Sequence, residues 1–384
     1  MITLVKDTID NQDIDKLIDW LKTYPRLTKG SVTIELEQKW SKWLGRKYSI
    51  FCNSGSSANL LMLSALKESG QMKNNKVVVP SVAWATDLAP VMQLGFEPIL
   101  CDSNMEDLSV DLEHLENIFK TQKPSALMFV SVLGLVPDMD RLFNLCSKYD
   151  VALLEDTCES MGCDYKGKKL GTFGKMSSFS TYFGHHISTI EGGFVSTDNF
   201  KLYELLLSLR SHGWDRDLSV RTRVELQKEW NISNFDSMYT FYYPGFNLRS
   251  TDLQAYIGLE QIDKLDGWGL IREKNFNTYQ ELIKNEYWKV KPQENSFVSN
   301  FAYPVIHPNR NEIVKKLQEK DIEVRPMICG SMGTQPFYTK KYGRLELPNV
   351  STIDKYGFYV PNHPHLTKEE IILISDIINE GINK

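Results

Sequence analysis

Two adjacent histidines, His185 and His186, stand in "SSFSTYFGHHISTIEGG", between a serine-rich segment and a Glu-Gly-Gly turn. An imidazole titrates near pH ~6.5, so it can take up and return a proton at neutral pH. In a loop the pair can equally be solvated, structural or metal-binding. Ser180, five residues before His185, offers a hydroxyl. "NSGSSANLL" places Gly55, Ser56 and Ser57 where a strand hands over to a helix, a setting whose backbone N–H groups and dipole favour a phosphate, or simply an N-cap. "VALLEDTCESMG" ends an apolar run with Glu155 and Asp156; a carboxylate there is a helix cap or the partner of a protonated ring nitrogen. Trp84, in "VPSVAWATD", is core or a stacking surface for a planar ring.

The intervening pattern says how these residues meet. Leu36, Trp40, Trp43 and Leu44 fall on one helical face. After them "YSIFC", "KVVVP", "EPILCD", "SALMFVSVLG" and "VALLED" read as strands, alternating with the helical stretches "SSANLLMLSALKES", "DLEHLENIFK" and "DRLFNLCSKYD". Short apolar strands between helices predict a mainly parallel α/β sheet covered on both faces, and ligands of such sheets collect at the strands' carboxyl ends. Asn53-Ser54-Gly55, Trp84 and Asp156 all fall there. Residues 214–240 break the alternation, as a solvated excursion or a flap over a substrate. A helix is expected from Thr251. The C-terminal part reads as strand "SNFAYPVI", helix "NRNEIVKKLQEKD", strand "IEVRPM" and a closing helix with Thr367 and Glu370 spaced as a capping box. The expected division is a large domain over 1–250 and a smaller α/β domain over 251–384.

Composition narrows the functional classes. The 384 residues carry a net charge of -5, which gives no electrostatic reason to expect nucleic acid or an acidic membrane as partner. No apolar run approaches the roughly 20 residues of a membrane span, and the N-terminal residues lack a signal-peptide core, so a cytoplasmic protein is expected. The six cysteines lack the clustered spacing of zinc or iron–sulfur sites and read as buried free thiols, with no metal and no iron–sulfur cluster expected.

Together, "SGSSANL", "VPSVAWA", "LLEDTCESMG", "FSTYFGHHISTIEGG", "LRSHG" and "PGFNLRSTDLQAYIGLEQ" resemble the DegT/DnrJ/StrS nucleotide-sugar aminotransferase family over nearly the whole chain. The resemblance implies the aspartate aminotransferase-like fold (pyridoxal phosphate fold type I) and pyridoxal 5'-phosphate (PLP) or pyridoxamine 5'-phosphate (PMP) as cofactor. It places Gly55, Ser56, Ser57 and Ser180 on the cofactor phosphate, Trp84 on the pyridine ring, Asp156 at the ring nitrogen and Glu159 near the phenolic oxygen. Asn247 would reach the phosphate in the neighbouring subunit of a homodimer with shared active sites.

One position departs from that pattern. Where the family's aminotransferases carry the cofactor-anchoring lysine, five residues after the serine, this chain has His185, with His186 in place of an asparagine. Imidazole cannot hold PLP as a lysine amine does. "GHHI", "SHGWDRD", "PSVAW", "EDTCESMG" and "VRPM" resemble the branch in which histidine replaces that lysine, the PLP-dependent sugar 3-dehydratases. This implies removal of the C3 hydroxyl from a nucleotide-linked 4-keto-6-deoxy sugar, GDP-4-keto-6-deoxymannose favoured, with L-glutamate regenerating PMP and His185 as the base. An aminotransferase and a non-catalytic PLP-binding homologue are the alternatives. His186 orients His185 or packs. His212, Arg216 and Arg325 are further candidates for substrate contact, the arginines because guanidinium suits phosphate oxygens.

Overall fold

The computed structural model describes residues 1–383. Its strands, in chain order, are β1 (Tyr48–Cys52), β2 (Lys76–Pro80), β3 (Glu97–Cys101), β4 (Ala126–Val130), β5 (Ala152–Asp156), β6 (Asp164–Tyr165), β7 (Lys168–Lys169), β8 (Met176–Ser180), β9 (Gly193–Thr197), β10 (Ser296–Phe297), β11 (Ala302–Ile306), β12 (Arg325–Pro326) and β13 (Gly357–Pro361). Seven of them form one sheet in the order β1-β9-β8-β5-β4-β2-β3. β3, β2, β4, β5 and β8 pair in parallel, whereas β9 runs antiparallel to both neighbours, which leaves β1 aligned with the rest. Strands β4, β8 and β9 are buried along their whole length, as helical cover on both faces requires. The expected α/β sheet is present, with β9 as its one reversed member.

Helix Ser31–Leu44 closes one face. Trp40 is fully buried, stacks on Phe194 with centroids 4.1 Å apart and meets Phe179 edge-on at 4.9 Å. Leu36, Leu44, Phe51 and Ile187 complete this cluster. A further helix, Asn11–Leu21, precedes it, and the sequence pattern had not separated it.

Residue 250 falls just before Thr251, which caps a 31-residue helix, Asp252–Leu282, in a reciprocal capping box with Gln254. Beyond it β11, β13 and β12 form an antiparallel sheet, and the closing helix Lys368–Ile382 has its capping box at Thr367 and Glu370.

Two expected strands differ. The strand anticipated from Ser299 begins at Ala302, because Ser299 O, Asn300 and Phe301 N are engaged elsewhere: by His186 Nε2 at 2.8 Å and, for the latter two, by Leu133 O at 3.0 and 2.9 Å. The strand anticipated over 322–327 narrows to Arg325–Pro326, since Ile322 N turns back to Leu317 O and Glu323 N bonds Ile2 O. Residues 214–240, read as an excursion, carry elements of their own: Ser219 caps a helix, Val220–Glu229, and a 3₁₀ turn follows at Asp236–Tyr239. No helix among the described residues is long and apolar enough to cross a membrane.

Candidate active site

The site begins with strand register. Cys52 of β1 and Ser180 of β8 both lie opposite Gly193 of β9, so three strand ends converge. Ser54 caps the helix Gly55–Glu68 there, its side chain accepting from Ser57 N at 3.1 Å. Gly55 is required by contact: a Cβ would stand 2.6 Å from Ser180 Cβ and 3.1 Å from Cys158 Sγ. The N-terminal turn of this helix therefore presses against the end of β8, leaving its N–H groups and the Ser56 and Ser180 hydroxyls beside one cavity.

That cavity measures about 500 Å³ and is lined by Gly55, Ser56, Trp84, Asp156, Glu159, Ser180 and His185 among others. Seven of the expected positions thus converge from separate elements. Trp84 is half exposed (53%), a ring edge or face open to a ligand. The charge pattern is one-sided: Asp87, Asp156, Glu159 and Glu191 line the cavity and, among the described residues, no Lys or Arg does.

Asp156, at the end of β5, is buried. Its Oδ2 accepts from Asn59 Nδ2 at 2.6 Å and its Oδ1 from Cys158 N at 2.8 Å. Asn59 is itself fixed by Ser178 Oγ, which donates to Asn59 Oδ1 at 2.5 Å. Asp87 lies on the other side of Asn59 and accepts from Trp84 N at 2.9 Å. Burial first, then the neighbouring Asp156, raise the Asp87 carboxyl well above its ordinary range. Burial likewise pushes Glu159 up to about 8, although Leu133 N, donating at 2.6 Å, opposes the shift. Leu133 achieves this with φ 53°, in the tight turn that follows β4.

The histidine loop is pinned at its neck. Thr189 N donates to Thr181 O at 2.9 Å, and the two threonine hydroxyls meet at 2.5 Å. Ile187 is buried in the Trp40 cluster. His185, between these anchors, turns its ring toward the cavity, 5.4 Å from the Phe301 ring, and its Nδ1 is buried without a hydrogen-bond partner. Burial lowers its pKa to about 4, with Asp156 and the Cys158 backbone opposing. His186 is buried away from the cavity with Nε2 on Ser299 O. It packs, and does so on the segment that carries Phe301.

The remaining candidates lie off this wall. The Ser57 hydroxyl is taken by Ser54 Oγ at 3.0 Å. Asn247 is exposed beside Ser211, with which it forms a bridge. His212 sits at φ 66° against Trp214, and Arg216 lies over the Trp214 ring at 3.7 Å. Arg325 is exposed and paired with Glu323, yet opposite Tyr359, which does line the cavity. No residue from 214 to 240 lines it, so within one chain that segment is no flap over the site. Sequence reading missed Asn59, Asp87, Phe301, Ile328 and Tyr359. Asp87, three residues after Trp84, had a capping-box spacing to betray it; Phe301, Ile328 and Tyr359 arrive from distant segments with no local signal.

These features accommodate a phosphorylated pyridinium. An acidic wall suits a ring cation, a helix start with hydroxyls suits its phosphate, and the half-exposed indole suits its ring face. Among the described residues no lysine reaches the cavity to anchor it covalently.

The chain is similar to known proteins along nearly its whole length. A GDP-4-keto-6-deoxy-D-mannose 3-dehydratase of Yersinia pseudotuberculosis is 35% identical over 92% of this chain and 92% of its own length. The Escherichia coli GDP-4-keto-6-deoxy-D-mannose-3-dehydratase, solved with bound hydrated PLP, superposes with TM-score 0.89 at 30% identity, covering 98% of this chain and 99% of that one. A GDP-perosamine synthase of Caulobacter vibrioides is 26% identical over 96% of this chain and 95% of its own. The family model extends over residues 7–379, and with it the sheet, the acidic cavity and the sequence markers agree: the chain belongs to the DegT/DnrJ/EryC1/StrS aminotransferase family, in the aspartate aminotransferase-like α/β fold.

Proposed function

We propose that the protein is a PMP/PLP-dependent nucleotide-sugar 3-dehydratase, removing the C3 hydroxyl from a 4-keto-6-deoxy sugar, GDP-4-keto-6-deoxymannose favoured, to give a 3,6-dideoxy-4-keto sugar of the kind used in lipopolysaccharide O-antigens such as colitose. The observation that carries this reading is that the cavity wall holds Asp156 and His185 together and, among the described residues, no lysine. When bound, the cofactor supplies an amine for the sugar's C4 ketone and a pyridinium ring that accepts an electron pair.

The chain's own residues do the rest. Gly55 N, Ser56 and Ser180 hold the phosphate, with Ser57 supporting the cap. Asp156, its two oxygens oriented by Asn59 and Cys158 N, keeps the ring nitrogen protonated. Glu159, protonated at neutral pH because burial raises it to about 8, faces the phenolic oxygen as a donor. Trp84 covers the ring. His185, neutral through burial, would take a proton from the carbon that bears the cofactor's amine, freeing the electron pair that expels the C3 hydroxyl, and deliver that proton to the hydroxyl, which leaves as water. Lysine in that place would anchor the cofactor and shuttle protons toward amine transfer. L-glutamate restores the amine form of the cofactor in a separate half-reaction. Asn247, exposed on this chain, serves the partner's phosphate in a homodimer, and Arg216 and Arg325 are offered to the nucleotide phosphates.

Aminotransfer is the second reading, favoured by the GDP-perosamine synthase relative; a PLP-binding protein without turnover is the third. Mass spectrometry after incubation with glutamate, cofactor and a panel of 4-keto-6-deoxy sugar nucleotides separates them. Dehydration predicts 2-oxoglutarate, ammonia and a 3-deoxy-4-keto product. An amino sugar would establish the second reading, and neither product the third.

A further inference from the structure

A histidine that moves protons is commonly fixed by a hydrogen bond on one ring nitrogen, which leaves the other for the chemistry. Among the described residues His185 Nδ1 has no such partner. The Cys158 backbone lies close enough to favour the imidazolium but makes no bond to Nδ1. What meets the imidazole is the ring of Phe301, with centroids 5.4 Å apart and a tilt of 42°. The same ring lines the cavity and lies 6.4 Å from both His186 and Tyr359.

Phe301 is only half-buried, yet its backbone is fixed at both ends. Its N–H donates to Leu133 O at 2.9 Å, and its carbonyl accepts from Arg272 Nη1 at 3.3 Å. Asn300, fully buried, donates to the same Leu133 O at 3.0 Å and accepts from Asn362 Nδ2 at 2.7 Å. The turn they grip leaves no slack: a Cβ on Gly134 would stand 3.0 Å from Asn300 Cα and from Ser299 O. Three separate segments thus hold one aromatic ring in place beside His185.

We propose that Phe301 is a positioning residue for His185: its ring confines the imidazole to the orientation from which it reaches the reacting atoms. A base that collects a proton at one atom and releases it at another works only while its ring stays aligned with both. A flat apolar wall limits the ring's torsions without binding either nitrogen, so it orients the imidazole and leaves its proton free to move.

The proposal rests on His185 being the base, and the variants separate the two. Phe301→Leu keeps an apolar side chain and removes the flat face; Phe301→Tyr keeps the face. With cofactor, glutamate and a sugar nucleotide that the parent dehydrates, Phe301→Leu should lose ~10- to 10²-fold in kcat, the scale of a misplaced catalytic group. KM and PLP affinity should stay at parent values, and Phe301→Tyr should recover most of the rate. In a His185→Asn background Phe301→Leu should cost nothing further, because Phe301 acts through the ring it holds. A crystal structure of the cofactor-free Phe301→Leu protein should show the His185 imidazole in a second rotamer or spread over two. With His185→Asn inactive, full kcat in the Leu variant, a loss confined to KM, or an equal loss in the His185→Asn background overturns the proposal alone. An imidazole unmoved in the crystal overturns it whatever the activity. His185→Asn at the parent rate overturns the assignment of the base and the proposal with it. Should the Leu variant not fold, Phe301→Met, apolar and flexible, takes its place under the same criteria.

Discussion

Asn59 Nδ2 stands 2.6 Å from Asp156 Oδ2 and 3.2 Å from Asp87 Oδ1, so a single amide is shared between two buried carboxyl groups. Asp156 also accepts from Cys158 N. Asp156 thus has a donor on each oxygen, whereas burial and the neighbouring Asp156 hold Asp87 toward its protonated form. Asp156→Asn would face one of those donors with an NH₂ group and could not stabilise a ring cation. The variant should retain cofactor yet lose ~10²-fold or more in turnover, the scale of removing one preorganised electrostatic contact. Cofactor absorbance and product mass together check this; turnover at the wild-type rate with cofactor bound would make Asp156 a mere cap.

Empty, the site should cost stability at both ends of the pH range. Glu159 has a folded value of about 8 against an ordinary 4.5, so the folded state binds more protons between them and stability falls as pH rises through that window. His185 has a folded value of about 4 against 6.5, so the unfolded state binds more protons there and stability falls as pH drops from 6.5 toward 4. In the cofactor-free protein, Glu159→Gln should therefore raise Tm relative to wild type by a margin that grows from pH 5 to 8. His185→Asn should do so by a margin that grows from pH 6.5 to 4, with a ceiling of roughly 3 kcal/mol for a shift of this size. Margins that do not change with pH would show that neither shift exists.

Gly55 tests the phosphate cradle without touching the acid–base groups. A Cβ there would collide with Ser180 and Cys158. Overpacking of this kind costs ~1–3 kcal/mol, and if the strain is relieved by moving the helix start away from Ser180, cofactor affinity should fall roughly 10- to 100-fold. Titration of apo-protein with PLP measures it. Unchanged affinity would mean that the phosphate does not sit against this turn.

Much of this was legible along the chain because the parts are local. The strand Tyr48–Cys52 and the strand Lys76–Pro80 stand where apolar runs bounded by polar residues placed them, and Gly55, Asp156 and Ser180 follow at strand ends where a parallel sheet presents ligands. The closing capping box at Thr367 was visible for the same reason. What stayed hidden is non-local. Tyr359 reaches the cavity from β13 and Phe301 from the segment just before β11, and no spacing links them to His185. The strand expected from Ser299 was cut short by bonds to His186 and Leu133, which no propensity can foresee. Asn59 lay within an ordinary amphipathic helix; only its burial against Asp156 reveals its part.

The two histidines separate by what each touches. His185 lines the cavity, whereas His186 spends its Nε2 on Ser299 O behind it, the Nδ1 of each being buried without a partner. His185→Asn should accept PMP and substrate and then stall, since losing a positioned general base costs ~10²–10⁴ in rate. His185→Lys restores the residue the family's aminotransferases carry there; it should capture PLP covalently, visible as a shifted absorbance and as a pyridoxyl adduct after borohydride, and dehydration should collapse. In the wild type borohydride should fix no cofactor at this site. His186→Asn loses the bond to Ser299 O and some packing, so a lower Tm with dehydration largely kept is expected. Product mass, absorbance and thermal denaturation of the three variants give the comparison. If His185→Asn dehydrates at the parent rate while His186→Asn is inactive but folded, the base is the other histidine. If both keep full rate, the proton is taken by a group outside this pair and the assignment of His185 is wrong.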